Sequence, residues 1–382
     1  MRLAEVDGKA LLRRHGLAVP RGVLLGAGEN PPDAAADWPG FLLKAQILEG
    51  GRGKRGLVRP FDKLAEFGAT RRLILATLDD ADTPLLLEAA VPIVREIFVA
   101  VRIDGTRQRL ELLIAPQGGE NVEQSAKLAR IPIADTPAPD AIFSAIAKHF
   151  PSDLAARLAR YAARLPEIAR REDLELLEIN PLALTQDGSF VACDAKIIRD
   201  DSADFRHDPD EFVISRRLAE RAMTAFERSA RDLGFQLVET DGDVVLVTSG
   251  AGLAMMMMDL LADHGLRAAS FMDNLRGAPD ETIAERLQIA RALAARPHIK
   301  AIVFQTVIAS RSLAERIDAL VAWIAVEPLP KPLFVGLAAG HAATREMSTA
   351  EAIAKLHALG VAAFTDPIEL VKAAARATKR TK

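Results

Sequence analysis

The 382-residue sequence predicts a two-part mixed fold: a hairpin-built α+β first half, then a doubly wound α/β half. Two observations carry this. In the second half, apolar strand-length runs ("DVVLVT", "RAASFM", "KAIVFQT", "PLFVGL", "VAAF") alternate with helix-length segments such as "LAMMMMDLLADHG" and "LAERIDALVAWI". Five such units call for a parallel sheet covered on both faces, flavodoxin-like in order, with any ligand at the carboxyl ends of its strands. In the first half, "LELLEINPLALT", the turn "QDG" and "SFVACDAKII" read as a β-hairpin, because Asx-Gly turn chemistry separates two half-buried strands. The expected domains are residues 1–232 and 238–382.

Taken in order, "AEVDGKALLRRHG" has helical spacing and stops at Gly16. "GFLLKAQIL" reads as a strand. "LLLEAAVPIVREIFVAVRIDG" reads as two strands with a short break, ending in the turn signal Asp104-Gly105, and "QRLELLIA" returns as a hairpin. "PDAIFSAIAKHF" and "DLAARLARYAARLPEIARRED" are helical. After the "QDG" hairpin, the polar stretch "RDDSADFRHDPDEF" leads into one helix, Ser215 to Leu233.

The balance of residues narrows the function. A net charge of −3 provides no global basic field for nucleic acid. A single cysteine, Cys193, rules out an internal disulfide and fits a reducing compartment. The N-terminal "MRLAEVDGKALLRRHGL" lacks the apolar core of a secretory signal. The most apolar run, "VVLVTSGAGLAMMMMDLLADHG", is broken by Ser249, Gly250 and Gly252 and carries Asp259, so it does not read as a membrane span. A cytoplasmic protein is expected.

Several motifs bear on chemistry. "QILEGGRGKRG", Gln46 to Gly56, is glycine-rich and cationic between two strands, but Lys54 is followed by Arg55, so it is no P-loop. Exposed amides with Arg52 and Lys54 suit a polyphosphate; a flexible surface hairpin explains the composition equally well. In the "QDG" hairpin, Glu178 and Asn180 share a face through period-2 alternation, and Asp194 can face them from the partner strand, with Lys196 on the same face. Hard oxygen donors so placed suit Mg²⁺. Glu88 and Glu96 could accept from an adenine amine or ribose hydroxyls, although the residues alone favour exposed charges. "VTSGAGLAMM" is a partial dinucleotide fingerprint with Met255 where its third glycine belongs, and Asp273 follows at a ribose-binding spacing. Met255 to Met258 read as core-facing helix residues. His341, at a strand–helix turn, and Cys193, beside Asp194, read as structural.

Together these segments resemble the β subunits of succinyl-CoA synthetase and related nucleoside-diphosphate-forming acyl-CoA ligases. The resemblance runs through "KALLRRHGLAVPRG", "LLKAQILEGGRGKRGLV", "LLLEAAVPIVREIFVAVRID", "QGGENVEQSA", "LEINPLALTQDGSFVACDAK", "DFRH" and "SGAGLAMMMMDLLADHG" with "ASFMDN". It implies an ATP-grasp domain followed by a flavodoxin-like CoA-ligase domain. It also implies ATP/ADP, Mg²⁺, and CoA held mainly by a partner α subunit that carries a phosphorylated histidine, in an αβ or α2β2 assembly. By resemblance, Lys44, Gly51, Arg52, Gly53, Glu88, Val91 and Glu96 contact the nucleotide, and Asn180 and Asp194 bind the metal. Glu178 serves the phosphohistidine, and Arg52 neutralises charge during transfer.

The departures cluster at the acyl-substrate end. Ser249 stands where the family carries Asn, Leu275-Arg276-Gly277 replaces a triple glycine, and "QTVIASRS" replaces a glycine pair. Ser249, Arg276, Ala309, Ser310 and Arg311 are therefore the expected acid-site residues. The acid is expected to be a small carboxylate other than succinate, with a second anionic group read by an arginine. Two other readings stay open: a catalytically divergent ATP-binding regulatory paralogue, and a stand-alone ATP-grasp carboxylate–amine ligase, which would not need the second domain. A nicotinamide dehydrogenase would need the full glycine fingerprint.

Overall fold

The chain divides into two units, Met1–Glu220 and Arg221–Lys382. The computed structural model describes residues 1–119, 127–133, 138–248, 250–274, 283–308 and 312–379. The first unit opens with α1 (Glu5–Arg14), which ends at Gly16 in the left-handed region (φ +68°). A four-stranded antiparallel sheet follows, from β1 (Gly22–Leu25), β2 (Phe41–Ala45), β3 (Val58–Phe61) and, after α2 (Phe67–Leu78), β4 (Leu85–Ala89). Its spatial order is β1-β4-β2-β3. Phe41 stacks on Phe61 at 4.9 Å, and Ile74 of α2 is buried in the same core with Leu43 and Leu87.

The second sheet is built from β5 (Ile93–Asp104), β6 (Arg109–Ala115), β7 (Ala129–Ile133), β8 (Leu174–Thr185), β9 (Phe190–Ala192) and β10 (Lys196–Arg199). The order is β10-β8-β5-β6-β7, with β9 also paired to β8. Both expected hairpins form: Asp104 pairs with Arg109, and Leu184 with Phe190. Three helices pack on this sheet: α3 (Pro139–Ile146), α4 (Ser152–Ala162) and α5 (Leu165–Arg171). Pro166 in the first turn of α5 accounts for the α4–α5 break in what reads as one helical stretch.

The segment expected as one helix from Ser215 to Leu233 is two, α6 (Val213–Ala222) and α7 (Ala225–Asp232). Thr224 interrupts it as the N-cap of α7, closing a capping box with Glu227. Helix α7 packs on β11 (Phe235–Glu239), which belongs to the second unit. The compact units therefore divide at Glu220/Arg221, ahead of the expected boundary between 232 and 238.

In the second unit, β12 (Val244–Thr248), α8 (Ala251–Asp263), β13 (Ser270–Asn274), α9 (Ile283–Ala294), β14 (Ala301–Ile308), α10 (Leu313–Val326), β15 (Leu333–Ala339), α11 (Thr349–Ala358), β16 (Ala362–Phe364) and α12 (Pro367–Lys379) alternate as the sequence requires. Four strands form a parallel sheet in the order β12-β14-β15-β16. β13 departs from expectation: its ladder partner is β11, antiparallel. It meets β12 through one parallel bridge, Val244–Ala268, and through the buried Ser270 hydroxyl, which accepts from Leu246 N (3.1 Å) and donates to Leu246 O (3.0 Å). The doubly wound arrangement thus gains an antiparallel edge.

Leu246 and Val303 share one core cluster with Met257, Leu261 and Leu370 from α8 and α12. Val245 and Val335 share the other with Leu287, Ile317 and Leu356 from α9, α10 and α11. Each fully buried side chain of this size contributes about 1.5–3 kcal/mol. The methionine run splits by helical period: Met257 is buried, whereas Met255 and Met256 are exposed. Among the described residues, no helix is long and apolar enough to cross a membrane.

The turn before β12 leaves no room for a side chain. A Cβ on Gly242 would lie 1.9 Å from the Ala268 carbonyl oxygen and 2.5 Å from that of Arg267. Gly242→Ala is expected to cost about 2–3 kcal/mol through forced backbone movement. The reading is a lowered urea midpoint; an unchanged midpoint would contradict the packing described.

Candidate functional site

β2 and β3 are joined by the glycine-rich loop. Gly51 and Gly56 adopt positive φ (+73° and +67°), and Gly56 N bonds Gly53 O (3.0 Å) while Leu57 N bonds Arg52 O (3.0 Å). A cavity of about 780 Å³ opens beside this loop. It brings together Lys44, Gly51, Arg52, Gly53, Glu88, Val91, Glu96, Glu178, Asn180 and Asp194, all of the nucleotide, metal and histidine positions expected. Leu42, Ile47, Leu48, Val58 and Leu176 supply apolar wall. Such a volume, with apolar walls and a few convergent polar groups, suits a nucleotide-sized ligand. Glu49 also lines it; Lys54, expected beside Arg52, does not.

A buried ion network lies at one end of the cavity. Lys44 Nζ reaches Glu5 Oε1 (2.7 Å), Glu88 Oε2 (2.8 Å) and the Cys193 carbonyl oxygen (2.7 Å). Lys9 Nζ reaches Glu5 Oε1 (2.6 Å), Glu88 Oε1 (2.5 Å) and the same carbonyl (2.8 Å). Each ammonium thus meets three acceptors, the number it has protons for. Arg52 Nη2 donates to Asp194 Oδ1 (2.9 Å), and Nη1 lies 2.6 Å from Glu5 Oε2. The Nη1 contact is an ion pair in which Glu5 Oε2 has no well-aligned hydrogen bond, and Nη1 also donates to Ala45 O (3.2 Å). Three cations therefore balance three carboxylates: Lys9, Lys44 and Arg52 against Glu5, Glu88 and Asp194.

The network fixes its own charge state. Burial opposes ionisation of Glu5, yet Lys44, Lys9 and Arg52 hold its carboxyl well below the usual range. Burial likewise opposes the Lys44 ammonium, but Glu5 and Glu88 hold it well above its ordinary value. Glu5 therefore stabilises the fold above its unfolded value of 4.5, and this contribution is lost as pH falls towards its folded value. Lys44 contributes fully below 10.5 and loses its contribution as pH rises towards its folded value. Burial pushes Asp194 the other way, upward, with Arg52 opposing.

The expected metal corner lies on the "QDG" hairpin. The return strand is interrupted at Cys193–Ala195, between β9 and β10, so Asp194 is not in a paired strand as expected. Leu182↔Ala192 and Glu178↔Lys196 nevertheless share one register, which puts Asp194 opposite Asn180. Among the described residues, both bonds to Asp194, from Arg52 and from Ala195 N, fall on Oδ1. The Asn180 amide is bracketed by Gly119: Oδ1 accepts from Gly119 N (2.7 Å) and Nδ2 donates to Gly119 O (2.9 Å). An amide oxygen keeps a second lone pair, so Asn180 can still face a cation. Glu178 lies in the same wall, 3.7 Å from Lys196 Nζ.

The expected acid-site residues Ser249, Arg276, Ala309, Ser310 and Arg311 lie outside the described residues. His341 lies exposed in the turn after β15. A second acidic cluster, Glu172, His207 and Glu211, has ligand-like spacing. Arg14 pairs with both its glutamates, Arg199 pairs with Glu211 (3.1 Å), and His207 bonds Asp173 (2.8 Å). Its charges are thus taken up within the fold, His207 of the "DFRH" segment among them.

Sequence reasoning passed over Glu5, Lys9 and the Cys193 carbonyl. The available signal was Glu5–Lys9 at i,i+4 in α1, a spacing that normally marks a solvated helix face. Here both are buried. Taken alone, the residues favour an exposed charge at Glu88, which the resemblance assigns to the nucleotide; it is buried between two lysines.

Comparison with known proteins agrees with this geometry. The model of the ATP-grasp domain family matches residues 2–184. An ATP citrate lyase structure from Methanothrix soehngenii, in complex with citrate and coenzyme A, has the same fold. It gives a TM-score of 0.68 over 98% of this chain and 99% of that one, at 18% identity. The first unit is thus an ATP-grasp domain. Proteins named succinate–CoA ligase [ADP-forming] subunit beta from Desulfurococcus amylolyticus and Methylobacillus flagellatus are each 33% identical to this chain. They match over 315 and 353 residues, or 79% and 86% of this chain and 81% and 88% of theirs. The chain belongs to this family of acid–thiol ligase β subunits.

Cys193 gives a direct probe of the cavity wall. Burial pushes its thiol up to about 11, against the pull of Lys9 and Lys44. The thiolate, which is the reactive form, then accumulates only near that pH. Iodoacetamide labelling of Cys193, followed by mass spectrometry, should run about a hundredfold slower at pH 8 than for a free thiol. The rate should climb steeply toward pH 11; labelling at the free-thiol rate at pH 8 would contradict the burial described.

Proposed function

We propose that this chain is the nucleotide-handling β subunit of an ADP-forming carboxylate–CoA ligase. The observation that carries the reading is the convergence, in one cavity, of the Lys44/Arg52 cradle with the Asn180–Asp194 oxygen pair and Glu178. In the forward direction, a nitrogen of the partner α subunit's histidine attacks the γ-phosphorus of ATP. The P–N bond forms as the bond to the β-phosphate oxygen breaks, and ADP leaves. The phosphoryl group then passes to the acid's carboxylate, giving an acyl phosphate. The CoA thiol displaces phosphate to form the thioester. CoA is held mainly by the α subunit, in an αβ or α2β2 assembly in the cytoplasm.

Phosphoryl transfer asks the protein for positioning and charge neutralisation more than for covalent chemistry. Lys44 and Arg52 face the negative charge that spreads over the phosphate oxygens. Glu178 orients the incoming imidazole by accepting its second N–H, which directs the other nitrogen at phosphorus. The hard oxygens of Asn180 and Asp194 fit Mg²⁺, which when bound neutralises phosphate charge and fixes the tail. The acid is a carboxylate other than succinate, a reading supported by the replacements at Ser249, Arg276 and Ala309–Arg311.

Calorimetry of the purified chain should show ADP binding that Mg²⁺ tightens. Asp194→Ala should remove most of the Mg²⁺ effect. Glu178→Gln should leave Mg–ADP binding unchanged while slowing histidine phosphorylation in the native α partner by about a hundredfold. Failure of the wild type to bind ADP would sink the nucleotide reading. Thioester formation chiefly with succinate would sink the altered acid, and ATP binding without turnover on any acid would mark a regulatory paralogue.

A further inference from the structure

We propose that Glu5, on the first helix, is a positioning residue of the phosphate cradle: it berths Arg52 so that a metal ion can take Asp194. The inference rests on the nucleotide reading above. Arg52 spans two carboxylates, with Nη1 at 2.6 Å from Glu5 Oε2 and Nη2 at 2.9 Å from Asp194 Oδ1. Asp194 is also the carboxylate placed opposite Asn180 for the metal. Guanidinium and cation therefore draw on one carboxylate charge, and a cation that takes it weakens the hold of Asp194 on Arg52.

Glu5 changes the terms of that competition. When a cation draws Asp194 away, Arg52 keeps a buried carboxylate and the Ala45 carbonyl (3.2 Å), so its charge is not stranded. It also stays in the cavity wall, where phosphate arrives. Without a charge on Glu5, Asp194 would be the guanidinium's one remaining carboxylate in this network, and the cation would have to displace a stronger partner.

The berth is rigid. Glu5 Oε1 is held by both Lys9 (2.6 Å) and Lys44 (2.7 Å). Gln46 Oε1 accepts from Val6 N (2.9 Å), tying α1 to the start of the loop that carries Arg52. On the same first turn, Ser215 Oγ accepts from Ala4 N (2.8 Å) and donates to Asp7 Oδ2 (2.5 Å).

The test compares wild type, Glu5→Gln and Glu5→Asp in the full chain, with two readouts. One is ADP binding without metal, in chelator, by calorimetry. The other is Mn²⁺ titration of the ADP-saturated chain, followed by electron paramagnetic resonance. Glu5→Gln should lower Mn²⁺ affinity about tenfold while changing metal-free ADP affinity less than about threefold. Glu5→Asp keeps the charge but withdraws it by one methylene, and should lose roughly threefold in Mn²⁺ affinity; it carries the test if the Gln variant is not recovered. Mn²⁺ affinity unchanged in both variants, or equal losses in the two readouts, would overturn the berth and leave Glu5 a structural residue. A wild type that binds no ADP would overturn the nucleotide reading itself, whereas a wild type that binds and a variant that matches it would overturn only this inference.

Discussion

The Lys44 ammonium and the Glu5 carboxylate, 2.7 Å apart in the interior, set the terms for the first unit. Buried ions are expensive unless each is paired and hydrogen-bonded, and removing one partner typically costs about 3–5 kcal/mol. This network meets that condition by drawing on separate parts of the chain. α1 supplies Glu5 and Lys9, β2 supplies Lys44, β4 supplies Glu88, the glycine loop supplies Arg52, and the hairpin supplies Asp194 and the Cys193 carbonyl. None of these segments can shift alone without stranding a charge. A cluster of hydrophobic residues could give comparable stability, so stability alone is a weak reason to gather five buried or nearly buried ions and a part-exposed Asp194. Their position at the wall of the cavity is the better reason.

Balance matters there as much as pairing. In a wall of low effective dielectric, an added charge is felt strongly. With three cations against three carboxylates, the cradle neither repels nor collapses onto an anion before one arrives. A nucleotide and its metal bring charges of opposite sign together. On the proposed reading the network would take both by exchanging partners, Asp194 giving up the guanidinium for the metal and the cations turning toward phosphate. Groups set in place by that exchange on binding would need little reorganisation during transfer. The Gly119 bracket on Asn180 does the same for the opposite donor, since it fixes which way the amide points.

What was legible in the sequence was the part governed by local periodicity. Alternation along "LELLEIN" puts Glu178 and Asn180 on one face, and the "QDG" turn sets the register that brings Asp194 opposite. The strand–helix rhythm of the second half gives its parallel sheet and two apolar faces. Three things were not legible, each because a longer-range effect decided it. β13 took β11 as its ladder partner, and pairing partners are not encoded in a strand's own pattern. The helix from Ser215 onward kept its apolar spacing across Thr224, so the cap was masked by the period. Glu5 and Lys9 looked like a solvated i,i+4 pair, and only the packing of α1 onto the site reveals them as interior groups.

The glycine loop shows why composition alone could not settle its role. A surface hairpin and a phosphate contact need the same residues: glycines for tight turns, cations for charge. Direction separates them. Arg52 turns inward to Glu5 and Asp194 and lines the cavity, whereas Lys54 and Arg55 lie exposed. The turn that aims Arg52 is closed by its own carbonyl accepting from Leu57, with Gly51 in a left-handed conformation immediately before it. A side chain at Gly51 would be strained by that backbone. The glycines therefore do two things at once: they line the cavity without side chains of their own, and they let one cation of the loop's three reach a buried carboxylate.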